Sequence, residues 1–339
     1  MKQATNPHTN QQGLSLIELM VSITIGLLLV SAMATLIANN SAHRQEVEQA
    51  SRQIENGRYA MQVLSEDLHH AGYYGEYYNV GSTPAALPDP CNTTPASLDD
   101  AISLSIQGYD APASLPTDLA ACLNSADWVA GSDILLVRRA ATSTTALASL
   151  ITGRVYLQTR TSGLVLNDGS TGAGTFTLTK KDGATIADIR QYVVHVYFLS
   201  PCSIPSTANC SSAADSGRPI PTLKRLELTD DGAGGRTMKI VPLVEGIEAL
   251  QIDYGIDNAN TGAPDTFKTI PASLTEWGNV VAARIQLVAR NNEPSPGFSD
   301  AKTYNLGLAG TYTPTALTYK RHAYTQLVRL VNPSSRREQ

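Results

Sequence analysis

The sequence predicts an α+β fold: one long N-terminal helix, then an antiparallel, β-rich body with disulfide-stapled loop insertions. Three observations carry that reading. Gly13 to Ala38 is an almost unbroken apolar run with a single charge, Glu18. From Val47 to Ala71 the apolar positions Val47, Ala50, Ile54, Gly57, Met61, Leu64, Leu68 and Ala71 follow one another at steps of 3, 4, 3, 4, 3, 4 and 3, the stripe of an amphipathic helix. Beyond Gly72, short alternating runs separated by Gly, Pro, Asn and Asp replace helical periodicity.

The apolar run, residues 14–38, is long enough to cross a bilayer, for which about 20 helical residues suffice. Glu18 is its anomaly, because a charge at the centre of a membrane helix costs roughly 2.5 to 3.5 kcal/mol on insertion scales. Either Glu18 lies close enough to the interface to reach water, or it is a functional group. Ser22 and Gly26, four residues apart, form a small-xxx-small pair of the kind that lets helices approach closely. Residues 1–13 read as a short polar leader with Lys2 as a fixed cation and no A-x-A cleavage site, so the apolar run is expected to be retained. Lys2 and the amino terminus favour a cytoplasmic leader, and everything after the helix is then expected outside the inner membrane.

Residues 39–72 continue the helix as the striped segment, giving about 58 residues and roughly 85 Å at 1.5 Å per residue. Gly72 is placed to end it as a C-terminal cap. The stripe fits either a coiled coil or packing on the chain's own sheet. His69 and His70, adjacent on a helix, point about 100° apart and suit a solvated end better than a metal site.

Residues 73–339 form the body. Tyr77 to Ser132 is loop-rich, with Ile102 to Ile106 as a candidate strand. Ser132 to Ala140, "SDILLVRRA", is the first clear strand. Further strands are expected at Arg154–Gln158, Gly163–Asn167, Thr175–Thr179, Gln191–Leu199, Thr222–Thr229, Arg236–Val241, Leu243–Asp257, Val280–Ala289 and Ala323–Val331, before a charged tail. Within Gln191–Leu199, His195 reads as an ordinary surface or packed residue. Four cysteines, Cys91, Cys122, Cys202 and Cys210, have no CxxC or Cys/His spacing of a zinc site. Three pairings are open, of which sequence proximity favours Cys91 with Cys122 and Cys202 with Cys210, each contributing roughly 3 kcal/mol.

With 42% apolar and 16% charged residues, the chain can bury a large core. A net charge of −5 offers no basic footprint for nucleic acid. No GxSxG, HExxH, P-loop or strand-following GxGxxG occurs, so no catalytic residue is assigned and the expectation is a protein that is not an enzyme. No cofactor or metal ligand set is assigned either. Two oxygen-rich loops, Asp230 and Asp231 before Gly232, and Asp257, Asn258, Asn260 and Asp265 around Gly262, could hold calcium. Neither has EF-hand spacing, and such loops are usually turns.

A polar leader ending in Gly13, an apolar run and Glu18 five residues past the glycine resemble the class III signal of type IV prepilins and type II secretion pseudopilins. The resemblance implies cleavage after Gly13 by a prepilin peptidase, N-methylation of Leu14 and Glu18 as the fifth mature residue. It also implies that Glu18 serves assembly by pairing with a neighbouring subunit's N-terminal ammonium in the filament core. Leu14 stands where major pilins usually have Phe, and their helix-breaking proline is absent. "ENGRYAMQVLSEDLHHAGYYG" then resembles the segment after the membrane helix in PilW-type minor pilins and the related J-type pseudopilins, at Glu55, Asn56, Arg58, Ala60, Leu64, Asp67, Ala71, Gly72 and Tyr73. "LVEGIEALQIDYGID", "WGNVVAARIQLVARN" and "YKRHAYTQLVRLVN" resemble the closing part of PilW-type proteins. Residues 79–129 and 200–221 match no motif.

The resemblance implies a pilin-like fold and a structural role: a minor pilin that primes type IV pilus assembly at or near the filament tip. The implied partners are other minor pilins, the major pilin, the prepilin peptidase, the inner-membrane assembly platform and a tip adhesin. The implied location is the inner membrane, single-pass with a periplasmic body, then the extracellular pilus. The alternatives are a J-type pseudopilin of a type II secretion tip complex and, in another class, a membrane-tethered periplasmic enzyme or adhesin.

Overall fold

The computed structural model of the chain describes Gly13 and residues 15–81 and 83–338. The expected leader up to residue 12, and Leu14, lie outside the described residues. No proline falls within α1 (Leu16–His70), which runs unbroken for 55 residues. The chain divides into two compact units, residues 1–49 and 50–339.

In the first unit the helix from Leu16 to Ala38 is apolar on nearly every side and exposed, with Leu16, Leu28 and Ile37 each at least 69% accessible. It is long and apolar enough to cross a membrane. Its few hydroxyls are already satisfied by their own helix: Ser22 Oγ donates to Glu18 O at 2.7 Å, and Thr24, Ser31 and Thr35 each donate to a carbonyl three residues back at 2.8 Å. Such back-bonding removes the cost of taking a hydroxyl into hydrocarbon.

In the second unit the rest of α1 packs on the body. Gly57, Ala60, Met61, Leu64, Leu68 and Ala71 are buried, while Ile54, and Val47 in the first unit, are 44% and 70% exposed. The packed stripe is therefore shorter than the periodicity predicts. At its start Gln53 takes the inward position instead, its amide donating to Ala289 O at 2.8 Å and Lys320 O at 2.9 Å. Each of Leu64 and Leu68, fully buried, contributes roughly 1.5 to 3 kcal/mol.

The body holds α2 (Pro95–Asp100), β1 (Ile106–Tyr109), β2 (Ile134–Ala140), β3 (Val155–Arg160), β4 (Gly163–Asp168), β5 (Ile189–Ser200), the single turn α3 (Ala214–Gly217), β6 (Thr222–Asp230) and β7 (Arg236–Glu245). Then come β8 (Ile247–Ile256), β9 (Thr266–Lys268), α4 (Leu274–Gly278), β10 (Val280–Arg290), a small hairpin of β11 (Tyr304–Asn305) and β12 (Thr311–Tyr312), β13 (Arg321–Arg329) and α5 (Val331–Arg337). One sheet runs β1-β2-β5-β3-β4, with β6 also on β5 and β7 beyond it; the second runs β13-β10-β8-β9. Every pairing is antiparallel. β5 can take three partners because its ends serve different ones: Ile189–Gln191 pair with β3 and His195–Ser200 with β6.

β2 shows why "DILLV" reads as a strand. Ile134 and Leu136 enter a core with Trp128, Val196 and Phe198, and Leu135 and Val137 enter the core with α1, so both faces are apolar. The core on α1 draws from both sheets, with Tyr197, Leu199 and Leu223 from the first and Ile252, Ile285 and Leu287 from the second.

Four expected elements differ. Ile102 to Ser105 is not strand, because α2 precedes it and the chain reaches extended pairing only at Ile106. Thr175–Thr179 forms no strand: a 3-10 segment, Gly169–Gly174, with Gly172 at φ +54°, occupies the approach, and one isolated bridge joins Thr179 to Ile186. The expected run from Leu243 to Asp257 is two strands in two sheets, divided at Gly246, whose φ is +77°. The charged tail is the helix α5, docked on the body through Pro333 and Ser334.

Gly72 ends α1 in the left-handed region at φ +69°, and a Cβ there would meet Ser105 Cβ at 2.9 Å. Gly72→Ala is expected to lower the unfolding free energy by about 1 to 3 kcal/mol, measured by denaturant titration against the unsubstituted protein.

Candidate functional site: the helix start and the helix–sheet junction

At the start of α1, Glu18 has a local partner. Ser15 N donates to Glu18 Oε2 at 2.9 Å and Glu18 N donates to Ser15 Oγ at 3.3 Å. This reciprocal pair is a capping box, the S-x-x-E pattern that satisfies two of the amides left open by a helix start. The signal was in the sequence as Ser15-Leu16-Ile17-Glu18, and it assigns the carboxylate a role within its own chain. Gly13 is exposed beside it. Ser22 and Gly26 face no other part of the described chain, and a Cβ at 26 would meet nothing within 4 Å.

At the other end, Asp67 is 4% exposed and holds α1 to the first sheet. Arg139 Nε donates to its Oδ1 at 2.6 Å, and His195 Nδ1 and the Tyr197 hydroxyl donate to its Oδ2 at 2.7 and 2.8 Å. Arg225, from β6, donates to the Tyr197 hydroxyl at 3.3 Å and lies over its ring. Burial opposes ionisation of Asp67, but the hydrogen bond and charge of His195 and those of Arg139 outweigh it and hold the carboxyl well below the usual range. A carboxylate whose two oxygens accept three donors from two neighbouring strands acts as a structural pin between α1 and the first sheet. His195, read from the sequence as an ordinary strand residue, gains its importance from strand register, which sets it opposite Val137 of Arg139's strand and within reach of Asp67.

The helix terminus is clamped by backbone and by α5. Gly72 N donates to Arg138 O at 2.9 Å and Ala140 N to Tyr73 O at 2.6 Å. Asn332 Nδ2 donates to Ala71 O at 3.1 Å, Arg336 donates to Gly72 O, and the Arg336 guanidinium lies 5.6 Å from the Tyr74 ring centroid. Cations and donors are favourable where a helix presents its open carbonyls. Arg337 reaches Asp257 Oδ2 at 3.0 Å and Asn279 Oδ1 at 2.8 Å.

Cys91 is bonded to Cys122 and Cys202 to Cys210, with Cα separations of 5.5 and 5.7 Å. The first bridge packs on the core that holds Tyr74, Leu119 and Trp128. The second sits in a loop organised by carboxylates: Cys210 N donates to Asp127 Oδ1 at 2.7 Å, and Ser203 N, Ile204 N and Ile220 N all donate to Asp215. In the oxygen-rich loops, Asp231 accepts from Ala233 N and Gly235 N, Asp265 from Asn258 N and Ala259 N, and Asp257 from Thr261 N, Gly262 N and Arg337. Asp230 pairs with Arg154 at 2.8 Å.

Asp67→Asn is expected to cost about 3 to 5 kcal/mol, the penalty for leaving buried partners unpaired. Because the folded-state pKa of Asp67 is depressed, its contribution is present above its unfolded value near 4 and is lost as pH falls below it. Melting curves from pH 7 down to pH 2 should show the native chain losing more stability on acidification than Asp67→Asn.

Residues 8–34 match the prokaryotic N-terminal methylation motif, and residues 209–332 match the type IV pilus-assembly protein W family. No curated protein sequence matches the chain. Among solved structures, the type IV-like pilin TTHA1219 from Thermus thermophilus is similar at 13% identity over 54% of this chain and 86% of that one, with a TM-score of 0.23. The chain thus carries a prokaryotic N-terminal methylation motif at its N-terminal end and, toward its C-terminal end, a region that matches the type IV pilus-assembly protein W family.

Proposed function

We propose that this chain is a minor pilin that primes type IV pilus assembly and sits at or near the filament tip with other minor pilins. The observation that carries the reading is the presence on one chain of the methylation motif, residues 8–34, and the pilus-assembly region, residues 209–332. In this reading residues 1–13 are the leader, removed between Gly13 and Leu14 by the prepilin peptidase, and Leu14 is then methylated. Residues 14–38 lie first in the inner membrane and later in the filament core, residues 39–72 carry the helix into the body, and residues 73–339 are extracytoplasmic. The two disulfides suit that oxidising side of the membrane. The partners are the other minor pilins, the major pilin, the inner-membrane assembly platform and a tip adhesin. The chain's part is structural, with no cofactor: it contributes surfaces, and its buried cluster of acid, base and hydroxyl groups around Asp67 is consumed in holding the helix.

The intact mass of protein taken from membranes should begin at Leu14 with one added methyl group; a chain still starting at Met1, or cut elsewhere, contradicts the reading. Glu18 has two roles to separate, the capping box and the pairing with a neighbour's ammonium. Gln at the same position keeps the cap, since the motif accepts Glu or Gln, but removes the charge. Glu18→Gln and Glu18→Ala should both be processed and membrane-resident, and both should be depleted from sheared pili. A broken buried pair costs roughly 3 to 5 kcal/mol, so depletion can exceed a hundredfold. Recovery of Glu18→Gln at the unmutated level, with loss of Glu18→Ala alone, would assign Glu18 to the cap only.

A further inference from the structure

The second sheet ends on β13, and the pairing of its backbone can be read residue by residue. Leu330 N donates to Val281 O, and Asn291 N donates to Lys320 O. Both fall on the register that pairs Arg329 with Ala282 and Arg321 with Arg290. In an antiparallel ladder the hydrogen-bonded pairs alternate, so the even residues of β13, from His322 to Val328, point their N–H and C=O groups at β10. The odd residues Ala323, Thr325 and Leu327 point theirs outward, away from the sheet.

That outward edge lacks the usual protection. Exposed edges are normally blunted by charge, proline, a bulge or brevity. β7 carries Pro242, an exposed Lys239 and a register shift beside Leu243. β4 packs against α2, β9 has three residues and β1 has four. β13 pairs for nine residues with no register shift, and Ala323 to Val328 contains no charge and no proline. Thr325 and Gln326 are exposed, and Leu327 is 56% exposed.

Beside this edge runs a groove between α1 and β13, lined by Arg58, Met61, Gln62, Ser65, Tyr324 and Gln326. Next to it α1 approaches β13 closely at Gly57, where any Cβ would collide with the Tyr324 ring. Arg58 is exposed and has no ion-pair partner among the described residues. It belongs to the ENxR segment, of which Asn56 is used internally by donating to Glu245 O at 3.1 Å.

We infer that the outward edge of β13, with the groove beside α1, is a docking site for an extended segment of another polypeptide, which adds to the second sheet as a further strand and brings a carboxylate to Arg58. Strand addition supplies the backbone partners that Ala323, Thr325 and Leu327 lack among the described residues, and a groove next to an edge gives such a segment its side-chain selectivity. A second copy of this chain fits less well, because its own segment from Ala323 to Val328 has no acidic residue to offer Arg58. The inference does not require membership of a pilus.

The test places the photo-crosslinking residue p-benzoylphenylalanine at Gln62, exposed in the groove, in the full-length chain in its own cells, with the same residue at Lys239 on β7 as the control site. Irradiation should link Gln62 to a different envelope polypeptide, with the adduct mapping to an extended segment that contains Asp or Glu. Thr325→Pro removes an outward N–H and Leu327→Lys charges the edge; each should reduce the adduct at least tenfold while leaving the melting temperature within a few degrees. Arg58→Glu should reduce it as well. Gln326→Pro removes an inward N–H and should lower the melting temperature, which checks the assignment of parity. The inference is overturned by an adduct no stronger than at Lys239, by an adduct with a second copy or a helical segment, or by one indifferent to Leu327→Lys. It is also overturned if Thr325→Pro folds and the adduct persists, since side-chain docking alone would then suffice. If the adduct forms as described on a chain absent from sheared pili, the filament reading fails and this one stands.

Discussion

Burying the second half of α1 takes Ala60, Leu64 and Leu68 out of water, and it also takes in a charge, because Asp67 lies on the same face one turn from Leu64 and beside Leu68. A lone carboxylate in that position would undo much of the gain. The body solves this with donors from two strands: Arg139 on β2, and His195 and Tyr197 on β5. Those donors are in place only when β2 and β5 pair in their observed register, Val137 opposite His195 and Leu135 opposite Tyr197. The helix and the first sheet are therefore mutually conditional. The apolar stripe gives the attraction, while the buried ion cluster fixes which rotation and height of the helix on the sheet satisfy it.

The sequence showed clearly what periodicity can show. The unbroken apolar run, the 3-4 stripe, the terminating Gly72 and the doubly apolar strand β2 all follow from residues close together in the chain. The stripe misled at Val47 and Ile54, because spacing reveals a face but not where the body that covers it begins. Thr175–Thr179 and the run through Gly246 misled for the opposite reason: both have strand composition, but a glycine at positive φ interrupts or redirects the chain. The Asp67 cluster was half legible. Asp67 stood in a motif, but Arg139, His195 and Tyr197 come from strands whose register is a tertiary property, and nothing local marks them as its partners.

The start of α1 shows how one polar residue can be compatible with an apolar helix. Its hydroxyls bond back to carbonyls of their own helix, and Glu18 closes a capping box with Ser15. Each polar group thereby has a partner that travels with it from one surrounding to another. The segment needs no neighbour to be tolerated in hydrocarbon at its hydroxyls, whereas the carboxylate still carries a charge that the cap's amides do not neutralise. Satisfying hydrogen bonds and balancing charge are separate requirements, and only the second calls for a cation from outside the helix.

The same separation sorts the residues of the "ENGRYAMQVLSEDLHHAGYYG" segment. Folding alone accounts for most of them. Asn56 holds the Glu245 carbonyl, Gly57 admits the Tyr324 ring, Ala60, Leu64 and Ala71 fill the core, Asp67 takes the ion cluster, and Gly72 caps the helix. Arg58 is not accounted for in this way: like Glu55 it lies on the exposed side of the segment, and it stands next to a long, straight and uncharged edge of the second sheet. A charge without an internal partner and a backbone edge without a covering strand are each common on a protein surface. Their meeting along one groove, built by the Gly57–Tyr324 contact that also seats the helix, is what makes the pair informative. The packing that buries one face of α1 leaves the opposite rim of the same contact as a shaped surface with both an electrostatic and a hydrogen-bonding requirement.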